Sequence, residues 1–488
     1  MYTAFVSNDP TREPLRGRRY HFSGVGGSGM TPLAILTASL GATVSGSDRN
    51  FDRGLALPSF DALRRAGVTL LPQDGSGVLP DLDAFVHSSA VETANPEFQR
   101  AVELGIERIR RGSFLAKLAS SRRTVAVAGT SGKSTVTTMI AHILVETGFD
   151  PWFLGGGAAV NLAGALPPGS LRVGAGELFV VETDESDGSV AEFEPAISVV
   201  TNLSRDHKEI AETTALFESL LDHTHERAIL NCGDPVLEHL RVRSGLPRTV
   251  VALEGVPCWT EPHYLARSIE HGPDGVRFEF GGVSVSIPFP GAMTVENGAM
   301  ALAAANAAGV RLEDAARSLG TFAGVKRRLE RIGSAQGVDV YDDFGHNPVK
   351  IRAALEALRP RGAYWVWYQP HGYGPTRFFR DELVAMLRAT LRSGDHILLA
   401  PIYDAGGTAN RTIRSEDLVE QLRAAGVDAE LASTREDAAR RIAAAARHGD
   451  RAVVMGARDD TLPAFARSLL QTIESRTRPE TAASRPDR

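Results

Sequence analysis

Cysteine is nearly missing from this sequence: Cys232 and Cys258 are the only two among 488 residues. A disulfide framework of the kind that staples small secreted domains is thereby excluded, and a reducing cytoplasm is the compartment that fits. Long apolar runs are missing as well. The opening MYTAFVSNDPTREPLRGRRY contains no apolar stretch of signal-peptide length. The most apolar later segment, Ala299 to Val310, is too short to span a bilayer and carries Asn306. Neither sign of charge dominates: 53 Lys and Arg stand against 59 Asp and Glu, a net charge of −6 with the signs interspersed. That balance argues against a protein built chiefly to bind nucleic acid or an anionic membrane surface. No repeat of solenoid period is present. The expectation is a soluble, intracellular, multidomain protein, with no nucleic-acid partner and no membrane insertion.

What is present is ordinary globular material, 43% apolar and 23% charged, in a chain long enough for about three domains. Short apolar strands alternate with helices. Arg19–Ser23, Ala42–Ser45 and Ala84–Ser88 read as strands, with helices at Met30–Leu40 and Pro96–Leu104. Thr124–Ala128, Leu178–Val181, Ile197–Thr201 and Ala228–Asn231 continue the pattern, and VDVYDD, YWVWYQP, HILLAP and AVVMGA restart it after Gly324. Such alternation predicts an α/β fold with parallel sheets in layered domains. Boundaries are expected near residues 120 and 325: a first domain over 1–120, a central one over 121–325, a third over 326–475, and a disordered polar tail over 476–488. The segment from Val250 to Pro290 lacks helical signals and reads as an antiparallel insertion, VRFEF followed by VSVSIPF.

The strongest chemical signal is TVAVAGTSGKSTVTTMI. A buried strand ends at Ala128, Gly129-Thr130-Ser131-Gly132-Lys133-Ser134-Thr135 follows, and a helix begins. Backbone N–H groups at such a turn cradle phosphate oxygens. Lys133 would reach the β- and γ-phosphates, and the Ser134 hydroxyl would ligate Mg²⁺. The full eight-residue phosphate-loop pattern wants glycine where Val127 stands, so this is a variant with its first glycine at Gly129. A second turn, HFSGVGGSGM, spaces Gly24, Gly26 and Gly29 as a dinucleotide fingerprint, and Asp48 ends the next strand. On spacing alone NAD or another nucleotide diphosphate would fit it. Two further clusters lie at strand ends, Glu182 through Asp187 and Asn202 through His207. Ligands bind at the carboxyl ends of parallel strands, and a carboxylate with an imidazole beside ATP can hold a second Mg²⁺.

The ordered set HFSGVGGSGM…VSGSD, AVAGTSGKSTVTTMIAHIL, VETDESDGS, VVTNLSRDH, GVKRRLE and YDDFGHNP resembles the Mur ligase family, from about Arg19 to Leu470. The resemblance implies three domains: a Rossmann-like N-terminal domain, a phosphate-loop ATPase domain and a Rossmann-like C-terminal domain. It implies an ATP- and Mg²⁺-dependent ligase of peptidoglycan synthesis, and so of cell-wall shape and division. In that reading L-alanine is added to the carboxylate of UDP-N-acetylmuramate through an acyl phosphate. The Gly24, Gly26, Gly27 and Gly29 turn becomes a UDP site with Asp48 and Ser88, and no nicotinamide is involved. By the same resemblance Lys133 serves the phosphates, and Ser134, Glu182 and His207 hold metal. Asn297 lies near the adenine, Arg328 reaches the γ-phosphate, Asp343 takes the ATP ribose, and His346 is a neighbouring active-site histidine. His371, Tyr373 and Arg377 belong to the amino-acid side.

The chain departs from the family pattern at several places. Ser131 stands for a usual histidine and Ser134 for threonine. Ala292, Met293 and Thr294 replace R-H-N, and Asn347 replaces a second histidine. Gly372 and Pro375 replace two arginines in QPHGYGPTR, removing cations that orient carboxylates or phosphates; an arginine restored at 372 is expected to change affinity there. Three other readings stand beside the first. One is a murein-recycling ligase joining a preformed peptide to UDP-N-acetylmuramate. Another is an NAD-dependent oxidoreductase, which leaves Lys133, Glu182 and His207 unexplained. The last is a non-catalytic nucleotide-binding regulator, which would not need to keep Lys133 and Glu182.

Overall fold

The structure, a computed structural model, describes residues 14–88, 91–162, 169–204, 208–272, 274–404, 410–457 and 459–476. His207 and the tail beyond Arg476 lie outside the described residues. The chain divides into two compact units, Met1–Val325 and Lys326–Arg488. Among the described residues the first unit holds two sheets and is not divided near residue 120.

The first sheet runs Thr69–Leu71, Thr43–Ser47, Arg19–Ser23, Ala84–His87, Arg108–Arg110, all parallel. The order reverses at Arg19–Ser23, the first strand in sequence. A crevice therefore opens beyond its carboxyl end, where the Gly24–Gly29 turn leads into the helix Met30–Ser39. That helix is nearly all buried, as a helix lying on a parallel sheet should be.

Among the described residues the second sheet has ten strands. Its parallel core runs Arg248–Leu253, Arg227–Asn231, Ile197–Val200, Arg123–Ala128, Leu178–Glu182, Trp152–Leu154. Val125, Ala126 and Val127 are fully buried, which explains why that strand reads as a continuous apolar run without alternation. The helix Lys133–Glu146 packs Val136, Ile140 and Ile143 beneath it, against the helix Ala292–Ala307. The alanines at 299, 301, 303, 304 and 305 are buried, and side chains this small let two helices approach closely. VRFEF and VSVSIPF do pair antiparallel, as Val276–Phe280 with Val283–Ile287. They are not a separate insertion, however. Tyr264–His271 pairs parallel with Arg248–Leu253, so the hairpin extends the central sheet.

Among the described residues the second unit carries a six-stranded sheet: Glu330–Ala335, Val338–Asp343, Arg451–Met455, Tyr364–Tyr368, His396–Leu399, Ala429–Leu431. The first pair is an antiparallel hairpin and the rest are parallel. Arg476, expected at the start of a free tail, is tied down. It donates to Gln336 Oε1 at 2.8 Å and to the carbonyl of Ala443 at 2.8 Å.

The two cysteines are paired. Cys232 and Cys258, 26 residues apart, form a disulfide with Cα atoms 5.0 Å apart. One such bond is no framework for a chain this long, but it removes the cysteine argument for a reducing compartment. The sequence could not show the pairing, because it depends on the neighbouring strands Arg227–Asn231 and Arg248–Leu253 ending side by side. Among the described residues no helix is long and apolar enough to cross a membrane.

Candidate active site

The phosphate loop has the shape its sequence demands. Gly132 stands at the amino end of the helix Lys133–Glu146 with φ +82°, a left-handed conformation that favours glycine. A Cβ there would also meet Asn297 Oδ1 at 2.5 Å, so Asn297 lies directly against the loop. A side chain at Gly129 would strike Thr201 Oγ1. The segment after Ile197–Val200 braces the turn from one side. Thr201 Oγ1 donates to the Ser131 carbonyl at 2.7 Å, Ser131 N–H donates to Asn202 Oδ1 at 2.8 Å, and Thr130 Oγ1 accepts from Ser204 N–H at 2.9 Å. Thr135 sits in the first turn of the helix.

The functional side chains converge because strand register aligns them. Val127 pairs with Glu182 and Ala128 with Val200, so three strands end level beside the loop. Ser134 Oγ donates to Glu182 Oε1 at 3.1 Å, and Gly156 N–H donates to Glu182 Oε2 at 2.6 Å. Lys133 Nζ donates to both oxygens of Glu185, at 2.8 and 3.0 Å, and to the Gly129 carbonyl at 2.5 Å. Sequence reasoning named the acidic run but did not single out Glu185, and it missed Gly156 in the GGG at 155–157. Nearby, Asn231 Nδ2 donates at 2.9 Å to Glu296 Oε1 and at 2.9 Å to the Thr201 carbonyl. Burial pushes the Glu296 carboxyl up to about 7, the charge of Asp234 adds to this, and the Asn231 hydrogen bond offsets only part. Among the described residues no group of three His, Cys, Asp or Glu side chains gathers as a metal site.

The Gly24–Gly29 turn lies in the same unit. Gly26 N–H donates to Asp48 Oδ2 at 3.0 Å, and Asp48 Oδ1 caps the short helix Arg49–Asp52 through Asn50 N–H at 2.8 Å. Asp48 thus organises the turn with both its oxygens. Gly27 N–H closes onto the Gly24 carbonyl at 3.1 Å. Ser88 lies beside Gly24, its Cβ 3.6 Å from where a Gly24 Cβ would stand. Gly29 has an ordinary φ of −90°. A Cβ there would stand 3.2 Å from Arg111 Cδ, a tight contact.

In the second unit, Asp343 and its neighbours form one network. Asp343 Oδ2 accepts from Leu329 N–H at 2.8 Å and Oδ1 from Gly345 N–H at 2.7 Å. Burial pushes this carboxyl up. Asp342 is fully buried beside Arg327, and burial pushes it up to about 7 despite that guanidinium. The Arg328 guanidinium lies over the Phe344 ring at 4.7 Å. The His346 ring meets His371 edge to face at 4.8 Å, and the two line one small cleft with Tyr368 and Pro375. Arg377 Nη1 donates to the Asn410 carbonyl at 2.5 Å, and Arg411 lies over Tyr373 at 5.7 Å. Asn347 caps its helix, Oδ1 accepting from Lys350 N–H at 2.9 Å with Pro348 next in line. Asparagine is a better residue than histidine for that task. Gly372 adopts φ +135°, so an arginine placed there meets a backbone conformation that favours glycine. That backbone is strained for any residue with a Cβ.

Parallel strands ending at a glycine turn, a lysine on that turn and a hydroxyl beside a carboxylate define the class: an α/β enzyme that handles nucleotide phosphates. Comparison with known proteins gives the particular family. A model described as the Mur ligase family catalytic domain matches residues 19–123. One described as the Mur ligase middle domain matches 127–305, and one described as the Mur ligase glutamate ligase domain matches 327–458. The chain belongs to the Mur ligase family. It is 32% identical over 475 residues to a UDP-N-acetylmuramate–L-alanine ligase of Brucella ovis, covering 93% of this chain and 97% of that one. Among solved structures it is similar in fold to a UDP-N-acetylmuramate–alanine ligase of Thermotoga maritima, with TM-score 0.75, 22% identity and coverage of 94% and 99%. A murein peptide ligase of Psychrobacter arcticus matches with TM-score 0.68, 24% identity and coverage of 94% and 100%.

Proposed function

We infer that this chain is an ATP-dependent ligase that joins L-alanine to the carboxylate of UDP-N-acetylmuramate, releasing ADP and phosphate, in peptidoglycan synthesis. The observation that carries the reading is the convergence of Lys133, Ser134 and Glu182 on one strand end, in a chain whose 32%-identical relative bears that activity in its name. A carboxylate is a poor electrophile. ATP supplies a leaving group: a carboxylate oxygen attacks the γ-phosphorus in line, ADP departs, and an acyl phosphate forms. The amine then attacks the carbonyl carbon and inorganic phosphate leaves. Lys133 would neutralise charge on the transferring phosphoryl group, and loop N–H groups would hold its oxygens. Ser134 Oγ and Glu182, 3.1 Å apart, offer the hard oxygen donors that Mg²⁺ prefers, with His207 added by family resemblance. Mg²⁺ bound there would offset phosphate charge. Asn297, Arg328, Asp343, His346, His371, Tyr373 and Arg377 keep their resemblance-based roles as part of this proposal. Substrates of this kind place the enzyme in the cytoplasm.

The test is phosphate release with ATP, UDP-N-acetylmuramate and a panel of amino acids and peptides. L-alanine is the expected acceptor. A preformed peptide as acceptor is the second reading: Gly372, with φ +135°, and Pro375 stand where the family resemblance expects arginines. Release with a tripeptide and not with L-alanine would select that reading. No release with any acceptor would leave a nucleotide-binding regulator.

A further inference from the structure

Arg111 belongs to none of the roles above, yet it lies between the Gly24–Gly29 turn and the acidic run that holds Lys133. It opens the helix Arg111–Ala119. Its Nη2 donates to Asp184 Oδ2 at 3.0 Å and to Asp187 Oδ2 at 3.3 Å. The rest of the guanidinium stands against the sugar-nucleotide turn, Nη1 and Nε lying 3.3 and 3.5 Å from where a Gly29 Cβ would be. The side chain is largely buried, 22% exposed.

The two aspartates are built to receive it. Asp184 uses Oδ1 to hold Ser186 N–H at 2.9 Å, and Asp187 uses Oδ1 to hold Ser189 N–H at 2.9 Å. Each therefore presents Oδ2 to Arg111. Burial alone would raise the Asp184 carboxyl, but the Ser186 hydrogen bonds and the charges of Arg111 and Lys133 hold it below its ordinary value. The helix is docked closely enough that a Cβ on Gly112 would strike Ser189. Between the two aspartates sits Glu185, the carboxylate that holds Lys133. One four-residue run thus receives a cation from the sugar-nucleotide side and another from the phosphate loop.

We propose that Arg111 is a positioning residue that couples the two sites, exchanging Asp184 and Asp187 for the phosphates of the sugar nucleotide and thereby loosening the run that holds Lys133. The inference rests on the proposed function, because it takes a nucleotide diphosphate at the Gly24–Gly29 turn. Phosphate oxygens placed there would face a guanidinium with fork geometry suited to them. Once Arg111 turns to phosphate, Asp184 and Asp187 lose a shared cation. Glu185 is then less firmly placed, and Lys133 is freer to meet the ATP phosphates. By linkage each substrate raises the affinity for the other by the same factor.

The experiment is calorimetric binding of UDP-N-acetylmuramate and of adenylyl imidodiphosphate with Mg²⁺, each alone and with the other saturating. The unaltered protein should bind the ATP analogue about fivefold or more tightly when the sugar nucleotide is present. Arg111→Gln should weaken sugar-nucleotide binding about tenfold and bring that ratio to about one, and Arg111→Lys should recover part of both. Asp187→Asn keeps the Oδ1 acceptor for Ser189 but weakens the competitor for the guanidinium. It should tighten sugar-nucleotide binding about threefold, a change of sign that a merely structural role of Arg111 would not produce. Weaker binding in Asp187→Asn, or coupling retained in Arg111→Gln, would overturn the inference alone. No UDP-N-acetylmuramate binding by the unaltered protein would overturn the functional reading and this inference together.

Discussion

Lys133 Nζ and the Glu185 carboxylate form an ion pair at 2.8 Å, with only 15% and 8% of the two side chains exposed. A phosphate-loop lysine held this way already has an anionic partner, which the nucleotide phosphates must displace. The pair also ties the turn to the acidic run after Leu178–Glu182.

Removing the lysine should nearly abolish ligation. Lys133→Ala is expected to lose about 100-fold or more in kcat, roughly 3 kcal/mol of barrier, with folding intact by circular dichroism. Glu185→Gln removes the carboxylate that competes with nucleotide phosphate for Lys133, and should tighten binding of an ATP analogue about threefold. Near-normal turnover in Lys133→Ala would sink the phosphate-loop assignment.

A second measurement concerns the hydroxyl–carboxylate pair. Ser134→Ala and Glu182→Ala should each shift a Mg²⁺ titration of activity to higher metal concentration, on the order of tenfold. His207→Ala, a ligand by family resemblance, should do the same. Glu182→Ala has an added cost, since it removes the acceptor of Gly156 N–H. Titrations unchanged from the parent in all three would put the metal elsewhere.

Stability should depend on pH through Glu296. Its folded-state carboxyl stands at about 7 against an ordinary 4.5. The folded protein therefore binds more protons than the unfolded chain between these values. The stabilisation is fully present below about 4.5 and is lost as pH rises through 7. Asp342, at about 7 against 3.8, acts in the same direction. Glu296→Gln keeps an acceptor for Asn231 and removes the titration. The variant should be more stable than the parent at pH 8, by on the order of 1–3 kcal/mol, and little different at pH 5. Thermal unfolding at the two pH values decides it: equal shifts at both would show that Glu296 does not titrate in this window.

Gly372 offers a backbone test. Its φ of +135° leaves Gly372→Arg and Gly372→Ala strained alike. Both should lower stability by about 1–3 kcal/mol, seen as a lower Tm, whatever they do to substrate affinity. An arginine accepted with no fall in Tm would mean the segment adopts another backbone.

Much of the site was legible because glycine and lysine act locally. TVAVAGTSGKST reads as strand, turn and helix, since its apolar run, its glycines and its hydroxyls each answer a nearby backbone requirement. The Gly24–Gly29 turn was legible for the same reason. Glu185 was not. Six consecutive residues from Glu182 to Asp187 include four acids, and beyond a strand end no period says which one faces the loop. Arg111 carried no signal at all, since an arginine opening a helix is usually solvated. The disulfide was hidden too: a pair of cysteines 26 residues apart says nothing about whether the strands that precede them are neighbours.

The sequence by itself determined the alternation of elements, the phosphate turn and the resemblance that spans the chain. These depend on short-range periodicity, on backbone conformations open only to glycine, and on ordered motifs. Tertiary structure alone decided which partners those motifs meet. Glu182 reaches Ser134 because parallel pairing puts Val127 opposite Glu182. Asn297 reaches Gly132 because an alanine-rich helix can lie close against its neighbour. Arg111 reaches Asp184 and Asp187 because Gly112 lets one helix end press onto the acidic run. Register and close approach are properties of packed surfaces, and packing joins residues that no local spacing relates.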